Sequence, residues 1–381
     1  MRPLTARRPK PMLPVGDRPL VAHTVRAAVR AGASKIVLVV GYEADDVRSY
    51  FDSRESEVPI EFATQHDQRG TADAVRAGAD RLDDAPFVVL NGDALYDAAG
   101  LAALYDGGPA VGSFRVDNPS DYGVLDVDDG TVRGVIEKPA DPPSDLINAG
   151  AYQFPAAARR WLDVPESSRG ELELTDVLAR ACEEATVRTV PFERWLDVGR
   201  PWELLAANEW AVGDLDRHFA GEVHPDAEIH GDVVVEPGAV VRAGAVIEGP
   251  ALLREDATVG PNAYVRGATV VGRGAKVGHA VEVKNSVLME GATVGHLGYV
   301  GDSVLGRDVN FGAGTKVANL RHDGADVKLT VKGERVSTGR RKFGVVLGDG
   351  VKTGINVSLN AGVTLSTDAR VPPGEVVTRD R

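Results

Sequence analysis

The sequence carries a single cysteine, Cys182, so no internal disulfide can form and nothing asks for an oxidising compartment. No apolar run reaches the roughly 18–20 residues that span a bilayer, and no charged-then-apolar leader opens the chain. Lysine is scarce: the 43 basic residues are mostly arginine, against 56 acidic ones, for a net charge of −13. A surface of that sign repels nucleic acid and anionic membranes. It suits a salt-rich cytosol, where screening removes much of the self-repulsion. These absences point to a cytoplasmic globular protein with no nucleic-acid or membrane partner. At roughly 100–200 residues per domain, 381 residues make two or three domains.

Glycine is abundant, 43 residues, and the excess lies in the second half. There an aliphatic residue recurs every six positions: Val223, Ile229, Val235, Val241, Ile247, Leu253, Val259, Val265, Val271, Val277, Val283 and Met289. Neither a helix nor an ordinary sheet has a six-residue period, so the repeat marks a solenoid of short strands and turns. It resembles the hexapeptide-repeat family, a left-handed parallel β-helix with three hexads per coil. The phase returns at Val345, Val351, Val357 and Val363, and residues 318–344 read as an inserted loop.

The first half alternates short apolar runs with helical patterns. Strands are expected at 35–40, 60–63 and 86–90, and helices at 18–32, 43–51 and 71–81. The pattern predicts an α/β domain with a largely parallel sheet, and ligands in such sheets sit at the carboxyl ends of strands. Asn91-Gly92-Asp93 falls at such an end. Residues 201–219 read as a connecting helix.

Several segments carry chemistry. Arg2-Pro3-Leu4-Thr5, followed by Pro9-Lys10-Pro11, resembles the signature of sugar-1-phosphate nucleotidylyltransferases. In that resemblance Lys10 meets phosphate, a role that suits an ammonium on a proline-stiffened loop. Gln65 with Gly70-Thr71 resembles the base-recognition segment, since an amide pairs with a pyrimidine edge and glycine admits the nucleotide closely. Uracil and thymine fit alike, so UTP and dTTP both remain open. Asn91-Gly92-Asp93 and Trp195-Leu196-Asp197 resemble the two metal segments, with Asp93 and Asp197 as Mg2+ carboxylates. Tyr122-Gly123, Glu137-Lys138-Pro139 and Asn148-Ala149-Gly150 resemble the sugar-binding segments, which nominates Gly123, Glu137 and Asn148.

In the solenoid, Arg266 and Lys284 are eighteen residues apart, one full coil, so the two cations share a corner that suits a phosphate. Then come Gly295-His296-Leu297-Gly298-Tyr299-Val300-Gly301-Asp302, Asn310-Phe311-Gly312-Ala313-Gly314 and Ala318-Asn319. From Arg266 to Asn319 this block resembles the acetyltransferase half of the bifunctional N-acetylglucosamine-1-phosphate uridylyltransferase/glucosamine-1-phosphate acetyltransferase family. The resemblance implies that His296 is the general base for the substrate amine. It implies that Arg266, Lys284, Tyr299 and Asn310 bind the sugar phosphate, with Lys328 in the insertion as a further contact. Ala313 and Asn319 would line the acetyl-CoA site, and Arg379 would meet the cofactor phosphates. The family's cofactor-side serine maps to Ile355, a departure. The length of the insertion resembles the archaeal bifunctional sugar-1-phosphate nucleotidylyltransferase/acetyltransferases.

A second departure is at the start. The family has a buried strand and a Gly-rich loop before the signature, which this sequence lacks, and losing a central strand leaves its two neighbours unpaired. Either the true start lies upstream, or the chain is truncated and the nucleotidyl-transfer activity is weak or absent. The expected architecture is an α/β Rossmann-like nucleotidyltransferase domain (1–200, N-terminally incomplete), a linking helix (201–220) and a left-handed β-helix acetyltransferase domain (221–381), assembled as a homotrimer or its multiple. The expected activity joins UTP to an acetylated amino-sugar-1-phosphate made with acetyl-CoA. Two rivals stay open. One is a single-activity nucleotidylyltransferase for glucose- or mannose-1-phosphate whose β-helix is structural. The other is a non-catalytic sugar-nucleotide-binding regulatory subunit.

Overall fold

A computed structural model describes residues 1–41, 43–167 and 169–381. The chain forms two compact bodies, Leu20–Asp197 and Met1–Pro19 with Val198–Arg381.

The first body begins with α1 (Leu20–Arg30), β1 (Ile36–Val40), α2 (Ala44–Asp52), β2 (Ile60–Thr64), α3 (Thr71–Gly78) and β3 (Phe87–Leu90). These lie close to the expected spans, and β1 pairs parallel with β2. The next strands are β4 (Ala94–Tyr96), β5 (Ala110–Arg115), β6 (Gly123–Asp128), β7 (Thr131–Glu137), β8 (Leu146–Phe154), β9 (Arg188–Pro191) and β10 (Trp195–Asp197); α4 (Ala98–Tyr105) and α5 (Leu174–Glu184) complete the body. The main sheet runs β3-β8-β5-β9-β7-β6. It is mixed rather than largely parallel: β8 runs antiparallel to β3, β5 and β6, and β6 to β7. The reason is local. No helix spaces residues 123–154, and Asp129-Gly130, both at positive φ, makes a two-residue hairpin turn between β6 and β7.

β1 and β3 each leave one edge without a strand partner among the described residues. The two edges line a shared cavity of about 560 Å³, walled by Ile36, Val37, Leu38, Phe87, Val88 and Leu90.

In the second body, three eight-stranded parallel sheets run from residue 218 to residue 377, each strand hydrogen-bonded to its equivalent one coil away. This is the expected architecture of a left-handed β-helix. Its axis is filled by the predicted aliphatics, with Val235, Val241, Ile247, Leu253, Val259 and Val265 almost fully buried. One expectation needs correcting. Leu288, not Met289, takes the inward strand position, because Val271 pairs with Leu288, one residue short of a full coil. A second residue is dropped between Val300 and Leu305, where Leu288 pairs with Leu305. Both shortened corners hold a non-glycine residue at positive φ, Asn285 at 44° and Asp302 at 49°. Both are followed by a buried serine: Ser286 Oγ accepts from Ser303 N (3.0 Å), and Ser303 Oγ accepts from Val345 N (3.0 Å).

The inserted segment 318–344 breaks the repeat as expected, but it is not irregular. Lys328–Val331 and Glu334–Ser337 form an antiparallel hairpin. The connecting helix, α6 (Pro201–Gly213), is shorter than expected, and residues 218–219 already form the first solenoid strand. The first nineteen residues pack in this second body, although the sequence division groups them with the domain that follows. The side chain of Asn208 on α6 accepts from Gly16 N (2.8 Å) and donates to Pro14 O (3.3 Å). Arg254 donates to Gly16 O (3.2 Å), and Arg7 pairs with Asp368.

Candidate functional sites

The solenoid stacks its candidate residues in columns. Arg266 and Lys284 are directly opposed on adjacent coils, with Gly301 next in line. Neither cation stands alone. Arg266 donates to Glu282 (2.7 and 3.0 Å), and Lys284 donates to both oxygens of Asp302 (2.9 and 3.0 Å). Tyr299 stands one coil above Glu282. Its hydroxyl accepts from Asn319 Nδ2 (3.2 Å). Burial raises the Tyr299 phenol's pKa, and the Glu282 and Asp302 carboxylates raise it further. Gly301 makes this pairing possible, since a Cβ there would lie 2.5 Å from Tyr299 Oη and 2.6 Å from Asn319 Nδ2.

A second column holds His279 and His296, paired on adjacent coils. Gly314 N donates to His296 O (3.0 Å) and Asn356 N to Ala313 O (2.8 Å), so Ala313 and then Ile355 continue the corner above His296. His296 is exposed on this corner, and the residue stacked above it, Ala313, has a one-carbon side chain. Asn310 is exposed on the strand that pairs with Thr293, three residues before His296. Lys328 and Arg379 are exposed and make no side-chain hydrogen bond to these columns among the described residues. Arg379 instead lines a cavity of about 580 Å³ together with Arg321, His322 and Arg335. Sequence reasoning missed Glu282 and Asp302 as partners of the cations. Asp302 follows Lys284 by eighteen residues, but the shortened coil stacks Gly301 on Lys284, so spacing alone does not flag Asp302.

In the α/β body, β4 and β10 pair so that Asp197 faces Ala94, the neighbour of Asp93. The two aspartates thus lie at the same end of a two-stranded ribbon. Tyr96 on that ribbon donates to Gly150 O (2.9 Å). Burial pushes its phenol far above the ordinary tyrosine range, and the charges of Asp93 and Asp197 add to this. Three family-like segments converge here: Asn91 N donates to Gly150 O (2.9 Å), and Trp195 Nε1 donates to Ala149 O (2.8 Å). Asn148 Oδ1 accepts from Gly150 N (2.9 Å). The Tyr122 ring packs edge-on against Trp195 at 5.5 Å.

Gly123 lies opposite Glu137 across the β6–β7 pair. Burial raises the Glu137 carboxyl's pKa and the Glu173 charge adds to that, while Arg169 acts against them. Arg169 bridges Glu137 (3.5 Å) and Glu173 (3.0 Å); Arg169 and Glu173 are two groups that sequence reasoning did not single out. Gln65 donates to Gly70 O (3.1 Å) and Asp73 Oδ2 (2.9 Å). Thr71 Oγ1 accepts from Leu174 N (2.9 Å). Gly70, at φ 124°, has no room for a side chain, because a Cβ would lie 2.3 Å from Leu172 O. Lys10 lies in the other body, on the 3-10 turn Lys10–Met12.

Among the described residues, no group of three or more His, Cys, Asp or Glu side chains could enclose a metal. Two hard oxygen donors, Asp93 and Asp197, do fit Mg2+, which keeps several coordination positions for water and phosphate oxygens. Among the same residues no helix is long and apolar enough to cross a membrane.

Residues 1–212 match the nucleotidyl transferase family, and residues 247–371 match a family described as the GMPPB C-terminal domain. The chain is 39% identical to the bifunctional sugar-1-phosphate nucleotidylyltransferase/acetyltransferase of Sulfurisphaera tokodaii, covering 100% of this chain and 94% of that protein. It is 39% identical to the bifunctional protein GlmU of Methanococcus vannielii (99% and 92% covered) and 38% identical to that of Methanocaldococcus jannaschii (100% and 92%). A crystal structure of UDP-glucose pyrophosphorylase complexed with UDP-glucose superposes with a TM-score of 0.50 at 23% identity, over 54% of this chain and 91% of that one. That likeness speaks to fold alone.

Proposed function

The chain belongs to the family of bifunctional sugar-1-phosphate nucleotidylyltransferase/acetyltransferases, and from that premise we propose that it acetylates glucosamine-1-phosphate and then uridylylates the product to UDP-N-acetylglucosamine. The observation that carries the reading is the full-length match to bifunctional relatives, which leaves neither half to serve as a mere stalk. The single-activity and regulatory-subunit rivals are not favoured.

In the acetyltransferase half, Arg266, Lys284, Tyr299 and Asn310 hold the sugar phosphate, with Lys328 as a further contact. Ala313, Asn319 and Arg379 serve acetyl-CoA. His296 takes the proton from the substrate amine as the nitrogen attacks the thioester carbonyl. The carbon–sulfur bond breaks, and the thiolate leaves as coenzyme A after protonation. An exposed imidazole beneath a small side chain supports this assignment.

In the nucleotidyltransferase half, Asp93 and Asp197 would hold Mg2+. When bound, the ion neutralises charge on the transferring phosphate. Gln65, Gly70 and Thr71 receive the base, and Gly123, Glu137 and Asn148 the sugar, while Lys10 meets phosphate. A sugar-phosphate oxygen attacks the α-phosphorus of UTP and pyrophosphate departs, so the chain positions reactants rather than forming a covalent intermediate. The convergence of the Asp93, Asn148 and Trp195 segments supports this set. We assign the protein to the cytoplasm as a homotrimer.

His296→Ala tests the division of labour. Acetyl transfer is expected to fall by about 10²–10⁴-fold while uridylylation of N-acetylglucosamine-1-phosphate is retained. Undiminished acetylation would remove His296 from its role.

A further inference from the structure

We propose that Asp302 is the positioning residue of the acetyltransferase site, setting Lys284 and Asn319 together through one buried carboxylate. The inference rests on the acetyltransferase reading of the solenoid. The Asp302 side chain is 4% exposed and that of Lys284 is 18% exposed. The carboxylate accepts twice from Lys284 Nζ (2.9 and 3.0 Å), once from Asn285 Nδ2 (3.0 Å) and once from Asn319 Nδ2. Asn285 Nδ2 also donates to Glu209 Oε1 (2.7 Å), and Glu209 pairs with Arg340, so the cluster is tied to α6 and to the inserted segment.

Two consequences follow from the chemistry of these groups. A lysine on a flexible four-carbon stem samples many rotamers, and the bidentate carboxylate selects one. An asparagine amide can point either way, but a carboxylate accepts only from its NH2 end. Asp302 therefore fixes the Asn319 amide with Nδ2 inward, shared with the Tyr299 hydroxyl, and turns Oδ1 towards the opposite side. One anion thereby orders a residue assigned to the sugar phosphate and a residue assigned to the cofactor.

The backbone supports the assignment. Asp302 sits at the second of the two shortened coil corners, at φ 49°. Its N donates to Lys284 O (2.9 Å) and its O accepts from Gly344 N (2.8 Å), bonds that a change of side chain leaves intact. Asparagine tolerates the same left-handed conformation and has nearly the same shape, so Asp302→Asn isolates the carboxylate. Its amide offers one acceptor oxygen where Lys284 and Asn319 now share two.

The test measures acetylation kinetics of the full chain and of Asp302→Asn, with uridylylation of N-acetylglucosamine-1-phosphate as control. The KM values for glucosamine-1-phosphate and for acetyl-CoA are each expected to rise by about tenfold or more, with kcat less affected and uridylylation unchanged. In Lys284→Met/Asp302→Asn, the sugar-phosphate KM should match that of Lys284→Met alone, since the two act as one unit. If Asp302→Asn is insoluble, Asp302→Gly, unstrained at this φ, serves the same comparison. KM values within about twofold of wild type, or additive effects in the double variant, would overturn the proposal alone. A wild-type chain that never acetylates would overturn the acetyltransferase reading and this proposal with it.

Discussion

Replacing Gly301 with alanine separates activity from stability. The added Cβ would lie 2.5 Å from Tyr299 Oη and 2.6 Å from Asn319 Nδ2, both at the ends of side chains. Small rotations relieve such contacts at the cost of the Asn319–Asp302 hydrogen bond, so the expected loss of stability is about 1.5–3 kcal/mol. The same rotations take the Asn319 amide away from Asp302. A hydrogen bond to a charged group is worth about 1.5–3 kcal/mol, which converts to roughly 10–100-fold in kcat/KM for acetyl transfer. Gly312→Ala is the contrasting case. Its Cβ would lie 2.4 Å from the backbone carbon and oxygen of Gly354 on the next coil, which cannot move without opening the stack. That variant is expected to lose about 3 kcal/mol or more. Thermal melts and acetyl-transfer assays on both variants check the contrast. Full acetylation by Gly301→Ala, or equal drops in melting temperature, would refute the reasoning.

Gly70→Ala places a Cβ 2.3 Å from Leu172 O at φ 124°, so it should destabilise the α/β body by about 2–5 kcal/mol. It should lose uridylyl transfer and keep acetyl transfer, as parallel assays on one preparation would report. Glu137 has its pKa raised by burial and then by Glu173. A carboxyl raised in the folded state favours folding at acid pH, and that contribution is lost as pH rises through its folded pKa. Glu137→Gln should therefore melt higher than wild type at neutral pH, with the gap closing below about pH 4, as melting curves across pH would show. A gap that widens in acid would contradict the sign.

The solenoid was legible because a six-residue period has no competing explanation, and the strands obey it from Val235 to Val283. It misled at Met289 because each dropped residue shifts the phase, and hydrophobic spacing cannot tell Leu288 from Met289 when both are buried. The antiparallel half of the sheet was missed because topology there follows from one turn, Asp129-Gly130, rather than from apolar runs. The Arg266–Lys284 column was legible from spacing alone. Asp302 was not, because an aspartate at a tight corner reads as an ordinary turn residue until its three side-chain donors are seen. The packing of residues 1–19 rests on partners about two hundred positions away, such as Asn208 and Arg254, which no local pattern encodes.

The most direct test incubates the purified 381-residue chain with glucosamine-1-phosphate, acetyl-CoA, UTP and Mg2+ in high salt, and reads the products by mass spectrometry. UDP-N-acetylglucosamine, appearing after N-acetylglucosamine-1-phosphate, is the predicted result. Formation of neither product would contradict the account and return the regulatory and single-activity readings to the front.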